Sequence, residues 1–223
     1  MVRSALGALM LCILFVSFCP IAATANSGEL LNFQGLGDLQ QVGNFYNGGG
    51  LSSTPNYGIT FSSNFYGLRS IYNGGSGVFA PDPTGTPAIF VMGTTGTTVT
   101  GYMNVNNGFT GGIQFFYTAG FSQTVTVWSG ANGTGTVLAT ISLSPNNGSC
   151  TGFPPYCNWS TAGLTFSGTA KSVTFTGAAD GIGISDITIG ASSTAIPEPS
   201  SLFLLGTGLI GLSAGPWRRF VRR

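Results

Sequence analysis

The stretch "QTVTVWSG", residues 123–130, alternates apolar and hydroxyl side chains with a period of two. Val125 and Val127 fall on one face and Thr124 and Thr126 on the other, which is the pattern of a half-buried β-strand. The β-branched residues suit a pleated surface. "KSVTFTG" (171–177) repeats the pattern, with Val173 and Phe175 alternating with Thr174 and Thr176. Further candidates are "ELLNFQGL" (29–36), "YGITFSS" (57–63), "LRSIYN" (68–73), "AIFVMG" (88–93), "TVTGYMNV" (98–105), "GIQFFYT" (112–118), "TVLATISLS" (136–144), "GLTFSG" (163–168) and "IGISDITIG" (182–190). Gly, Asn, Ser and Pro separate them, and helical periodicity is nearly absent between residues 26 and 195. The fold class expected is all-β: an antiparallel, jelly-roll-like sandwich of roughly nine to eleven strands.

Turn chemistry supports this assignment. "SGANGTGTVL" (129–138) sets Asn132-Gly133 between two strand patterns, a hairpin signal. "NFYNGGGLSSTPNYG" (44–58) reads as a surface loop. No fixed-period repeat points to a solenoid or propeller. An aromatic content of 12% is too high for a disordered chain.

The last strand breaks parity. Ile182 and Ile184 share one face, while Ile187 and Ile189 have the opposite parity. A β-bulge near Ser185 and Asp186 returns all four to the core and aims Asp186 at a ligand.

Both ends have a different character. Arg3, the apolar "ALGALMLCILFVSF" (5–18) and "ATA" before Asn26 form a secretory signal, with Ala23 and Ala25 at the small positions of the cleavage site. At the other end, Pro197-Glu198-Pro199 makes an extended joint. Leu202 to Trp217 is apolar, and its 16 residues reach about 24 Å as a helix. Arg218, Arg219, Arg222 and Arg223 follow as a basic stop that holds this end on the cytoplasmic side. The reading is therefore a signal peptide (1–25), a β-sandwich domain (26–195) and a tail (196–223), with a signal helix and a transmembrane helix flanking the sandwich.

Between the ends, Arg69 and Lys171 face Glu29, Asp38, Asp82, Asp180 and Asp186, two cations against five carboxylates and a net charge of −3. No basic patch remains for phosphates, which excludes nucleic acid as a partner. The chain has no His, which excludes Ser-His-Asp and Cys-His machinery. Glycoside hydrolysis needs two carboxylates held a few ångströms apart, and few are available. A non-catalytic domain is expected. Removal of the leader takes Cys12 and Cys19 with it, leaving Cys150 and Cys157 in "CTGFPPYC". After export these two pair as a disulfide or remain buried thiols.

The tail "IPEPSSLFLLGTGLIGLSAGPWRRFVRR" (196–223) resembles the PEP-CTERM sorting tail of Gram-negative bacteria in its order of Pro-Glu-Pro, Ser, an apolar run with Gly, and an Arg cluster. Pro216 departs from the usual aliphatic continuation. The resemblance implies recognition by an exosortase, a membrane cysteine protease, followed by release from the inner membrane to the cell surface or the extracellular matrix, alongside exopolysaccharide. "GISDITIG" (183–190), "LLNFQGLGD" (30–38) and "YGITFSS" also resemble strands of exported β-sandwich domains. In sandwiches of that kind, calcium sits where the first and last strands meet. The candidate oxygen ligands here are Asp186, Asp38 and Asp180, although Gln34 stands where a Glu is common and no Asp-x-Asp-x-Asp spacing occurs. A carbohydrate-binding module is the alternative function. Trp159 and Tyr156 are its first candidate glycan contacts, and Trp128, Tyr46, Tyr57 and Tyr72 are further flat faces, set against the ordinary role of such rings in a core.

Overall fold

The structure, a computed structural model, describes residues 28–190. The signal helix and its cleavage site at Ala23, Ala25 and Asn26, the Pro197–Pro199 joint, the apolar span and the four arginines lie outside the described residues. Among the described residues no helix is long and apolar enough to cross a membrane.

Ten strands form: β1 (Glu29–Leu31), β2 (Gln40–Gln41), β3 (Ile59–Phe61), β4 (Phe65–Leu68), β5 (Ala88–Val91), β6 (Thr98–Ala119), β7 (Gln123–Trp128), β8 (Val137–Leu143), β9 (Ser160–Ala178) and β10 (Ile182–Ile189). Their number falls in the expected range, and every pair is antiparallel. Hydrogen bonds link them in the order β2-β4-β5-β10-β6-β9-β7-β8, with β1 on β10 and β3 on β6.

Two strands serve both layers of the sandwich. "TVTGYMNV" and "GIQFFYT" are one continuous strand, β6, and "GLTFSG" and "KSVTFTG" are one strand, β9. Residues 98–104 of β6 pair with 172–178 of β9, and residues 111–117 pair with 160–166, with register shifts around Phe109 between the two zones. Bulges of this kind bend a strand, so each long strand passes from one layer into the other. The first layer holds β3, the first half of β6, the second half of β9, β7 and β8. The second holds the remaining halves with β10, β5, β4, β2 and β1.

The layers meet through aromatic rings. Phe175 of the first layer lies 5.9 Å from Phe65 and 5.7 Å from Phe115 of the second, centroid to centroid. Gly101 stands over Phe65, where a Cβ would come within 2.3 Å of the ring, so only glycine lets the layers approach there. On the outer face of the first layer, Thr100 bonds Thr176 (2.9 Å) and Thr140 donates to Thr126 (3.3 Å), the cross-strand pairing that the alternating threonines imply. The hairpin between β7 and β8 turns at Asn132-Gly133, both with positive φ, as expected.

The parity break resolves as a bulge. The β10–β6 register shifts between Ser185 and Thr188, Asp186 takes φ +48°, and Ile182, Ile184, Ile187 and Ile189 are all buried.

Two expectations change. "LRSIYN" is not a single strand: β4 ends at Leu68, and Ser70 accepts the Tyr72 N–H to start a helical turn over Ile71–Asn73. The glycine-rich segment 44–58 is more than a surface loop, because it folds back and buries Phe45 and Tyr46. The Tyr46 hydroxyl accepts the Phe33 N–H at 2.7 Å inside the core, so Tyr46 presents no face to a ligand.

A second, smaller cluster covers part of the outer face of the second layer. β5 is buried on both sides: Ile89 and Val91 enter the main core, while Ala88 and Phe90 join Phe79 outside it. The loop closed by the Cys150–Cys157 disulfide (Cα–Cα 5.6 Å) lies over this cluster and contributes Tyr156. Among the described residues all ten strands find partners and the main core closes between them.

Candidate functional site

Where β6 and β9 change layers, the chain leaves a cavity of about 610 Å³. Five separate segments line it: Gly28 and Glu29; Asn56, Tyr57 and Ile59; Val105 with Asn107 to Thr110; Thr169; Ile189 and Gly190. Its polar side chains are one carboxylate (Glu29), two amides (Asn56 and Asn107), two hydroxyls (Thr110 and Thr169) and the phenol of Tyr57. Tyr57 is half-buried and stacks on the buried Tyr46, with centroids 6.0 Å apart and planes 20° apart, so its ring is held in place from behind. Burial and the neighbouring Glu29 carboxylate push the Tyr57 hydroxyl up from its ordinary range, keeping it a neutral donor. Flat ring, amides, hydroxyls and one acceptor carboxylate give the lining both an apolar face and groups able to bond hydroxyls. The volume lies within the range of about 300–1,000 Å³ usual for small-molecule pockets.

A second polar centre forms around the bulge. Asp82 Oδ2 accepts from Thr84 (2.7 Å), Thr86 (2.9 Å) and Ser185 (2.8 Å), and the Thr84 hydroxyl also lies 2.5 Å from Asp186 Oδ2. Asp186 opens on a groove of about 390 Å³ beside Gln114, Phe116 and Thr188, while Asp82 is buried behind the hydroxyls. Burial raises the Asp186 carboxyl above the ordinary value of 3.8, and the nearby Asp82 adds to the rise against the Thr84 and Thr86 hydrogen bonds. A carboxyl that binds its proton more tightly when folded contributes stability that is complete below its unfolded value and lost as pH rises through the folded one. As pH rises from about 3.8 the Asp186 contribution to stability should therefore fall, and Asp186→Asn should remove that part of the pH dependence of the thermal midpoint. An unchanged pH profile in the variant would remove Asp186 as its source.

The three aspartates expected to share calcium do not converge. Asp38 is a loop staple: its oxygens accept the N–H groups of Arg69 (2.8 Å) and Ser76 (2.9 Å). Burial alone would raise Asp38, but those bonds and the Arg69 guanidinium outweigh it and hold the carboxyl below the ordinary carboxylate range. Asp180 sits at positive φ in the turn before β10, its carbonyl accepting the Tyr156 hydroxyl. Asp186 has Asp82 beside it instead. Among the described residues no group of three His, Cys, Asp or Glu side chains is placed to hold a metal. The trio does not fit a shared cation, because each carboxylate serves a different loop.

The first-named aromatic contacts have structural partners. The Trp159 indole N–H donates to the Ala80 carbonyl at 2.8 Å and its ring packs edge-on against Phe79. The Tyr156 ring meets Phe90 edge-on, and both residues pack on the second cluster. Trp128 donates to Thr174 at 3.0 Å on the outer face of the first layer, and Tyr72, largely exposed, pairs edge-on with Phe153. Of the aromatics considered, Tyr57 is the one that lines the cavity. Glu29, Asn56, Asn107, Thr110 and Thr169 escaped sequence reasoning because four segments far apart in the chain deliver them, with no local spacing to mark them.

Comparison with known proteins adds little about the body. No curated protein matches the chain. Among solved structures, a carbohydrate-binding module of Cellvibrio mixtus lichenase in complex with cellotriose is 13% identical, covering 73% of this chain and 96% of its own, with a TM-score of 0.37. A cleaved adhesin domain of Lys-gingipain from Porphyromonas gingivalis is 14% identical over 61% of this chain and 92% of its own, with a TM-score of 0.41. A family 6 carbohydrate-binding module is 14% identical over 74% and 95%, with a TM-score of 0.39. Likeness this loose says nothing about what this chain binds. The tail is different: residues 195–219 match the PEP-CTERM protein-sorting motif, so this chain carries the sorting signal of an exosortase substrate, which indicates export and a membrane-anchored C-terminus before processing.

Proposed function

We propose that the protein is delivered to the cell surface or extracellular matrix, where its sandwich associates with neutral polysaccharide without catalysing a reaction. The observation that carries this reading is the Tyr57 cavity, whose polar lining is amide, hydroxyl and phenol with the single charge of Glu29. Sugar rings offer C–H faces to an aromatic ring and vicinal hydroxyls to amides and carboxylates, and the cavity supplies both kinds of partner. Hydrolysis asks for a second carboxylate facing the substrate, and Glu29 is the one carboxylate in the cavity lining. Asp82 and Asp186 are close to each other, but Asp82 lies beneath Thr84, Thr86 and Ser185.

Affinity electrophoresis of residues 26–195 through gels holding neutral exopolysaccharide tests the reading. Retardation is expected for the native domain. It should be lost in Tyr57→Ala and largely kept in Tyr57→Phe, which preserves the ring. Equal retardation of native protein and Tyr57→Ala would overturn the assignment of the cavity, and no retardation on any polysaccharide would overturn glycan association itself.

A further inference from the structure

We infer that the Asp186 groove is a second seat for neutral polysaccharide, and that the sandwich bridges two chains, one in the groove and one in the Tyr57 cavity. The cavity's part in this rests on the reading proposed above. Consecutive residues of a strand point to opposite faces. In the β1–β10 ladder Glu29 pairs with Ile189 and both line the cavity, whereas the next pair, Leu30 with Thr188, lines the groove. The two openings therefore lie on opposite sides of one ladder, and a chain seated in either does not run on into the other.

Four neighbouring strands of the second layer build the groove: Leu30 from β1, Asp186 and Thr188 from β10, Gln114 and Phe116 from β6, and Thr161 from β9. A cross-strand row runs through it, with Leu30 beside Thr188, Thr188 beside Gln114, and Gln114 beside Gly163, where glycine raises no wall. Leu30 is 46% exposed and Phe116 half-buried, which gives apolar surface for the C–H faces of sugar rings. Among the described residues no protein hydrogen bond holds the side chains of Gln114, Thr161 or Thr188, so one amide and two hydroxyls are free for a ligand. The hollow beside Tyr66 lacks this freedom: Asn64 is tied to Ser62 and Thr100, and Tyr66 to Gln41.

Charge sets the class of ligand. The Thr84 hydroxyl has one hydrogen, yet it lies 2.7 Å from Asp82 Oδ2 and 2.5 Å from Asp186 Oδ2. Asp82 Oδ2 also takes Thr86 and Ser185, so three hydroxyl hydrogens face four short oxygen contacts, and the fourth hydrogen belongs to a carboxyl. With Asp186 as the acid, all three hydroxyls donate to Asp82, and the negative charge of the pair stays buried beneath them. The groove then shows an uncharged carboxyl, an amide and hydroxyls, a lining suited to a neutral ligand. It is the smaller seat, about 390 Å³ against 610 Å³. It therefore holds a chain once the cavity has seated the protein among polysaccharide, where chains are locally concentrated and one long chain meets many grooves.

A bead assay with the full chain in detergent separates the two seats. Beads coated in turn with galactomannan, dextran and hydroxyethylcellulose are loaded with protein, washed, and offered the same polysaccharide carrying fluorescein. Native protein should be captured by at least one coating and should then recruit the labelled chain. Gln114→Arg and Thr161→Arg put a long charged side chain into the groove from exposed positions. Both should keep capture and drop recruitment to that of beads without protein. Thr165→Arg, further along β9 and outside the groove lining, should keep both. Tyr57→Ala should lose capture itself. Capture of native protein without recruitment, undiminished recruitment in either groove variant, or equal loss in Thr165→Arg would each overturn the second seat while leaving the cavity reading intact. Absence of capture on every coating would instead overturn glycan association, and the bridge with it.

Discussion

Phe175→Ala should lower the unfolding free energy of residues 26–195 by about 3–5 kcal/mol, enough to leave little of the total of about 5–15 kcal/mol typical of a domain. Phe175 is 1% exposed and its ring is the point where the two layers meet, through Phe65 at 5.9 Å and Phe115 at 5.7 Å. Truncation removes the ring's burial and leaves a cavity between two sheets whose backbones are fixed by hydrogen bonds on either side, so the site collapses poorly. Thr165→Ala, on an exposed position of β9, should shift stability by no more than about 0.5 kcal/mol. Urea unfolding followed by tryptophan fluorescence reads both, and equal midpoints for the two variants would contradict the two-layer core described here.

That core was readable because it depends on a period of two. Val125, Val127, Val173 and Phe175, chosen by alternation alone, are all buried. The parity break in "IGISDITIG" was equally local: four isoleucines on conflicting faces admit one economical solution, and the bulge at Ser185 to Thr188 is that solution. What alternation does not carry is continuity and distance. Gly108 and Gly111 fall between two strand patterns, yet they sit where β6 passes between layers, because pairing with β9 at Phe109 and Gly111 keeps the strand continuous. The burial of Tyr46 depended on a fold-back of a glycine-rich segment whose composition signals only freedom of the backbone. The candidate site was less legible still. Asp186 was singled out by the bulge, but its partner Asp82 is a hundred residues away in sequence, and nothing in "APDPTGTP" (80–87) marks that approach. Tyr156 lies in the disulfide loop and Trp159 just after it. That loop lies over an apolar cluster, which absorbs both rings.

Pro197→Ala, Glu198→Ala and Pro199→Ala, introduced together in the full chain, should hold the protein in the inner membrane with Arg223 still attached. The motif spans 195–219, so the recognition element and the apolar run lie in one short segment, and the ten strands of the body all lie upstream of it. Two consequences separate cleanly. The triple variant keeps the span and the Arg218, Arg219, Arg222 and Arg223 stop, so insertion proceeds and only the processing step is lost. The body keeps every residue of its core, so the thermal midpoint of the sandwich should not move. Mass spectrometry of the C-terminal peptide in membrane and surface fractions distinguishes the forms: native chains should end near the Pro197–Pro199 joint and appear outside, whereas variant chains should end at Arg223 and sediment with the inner membrane. Replacing the four arginines with serine should act earlier, because the stop is lost before any protease meets the joint. A triple variant trimmed and exported like the native chain would mean that the Pro-Glu-Pro joint is not what the processing enzyme reads.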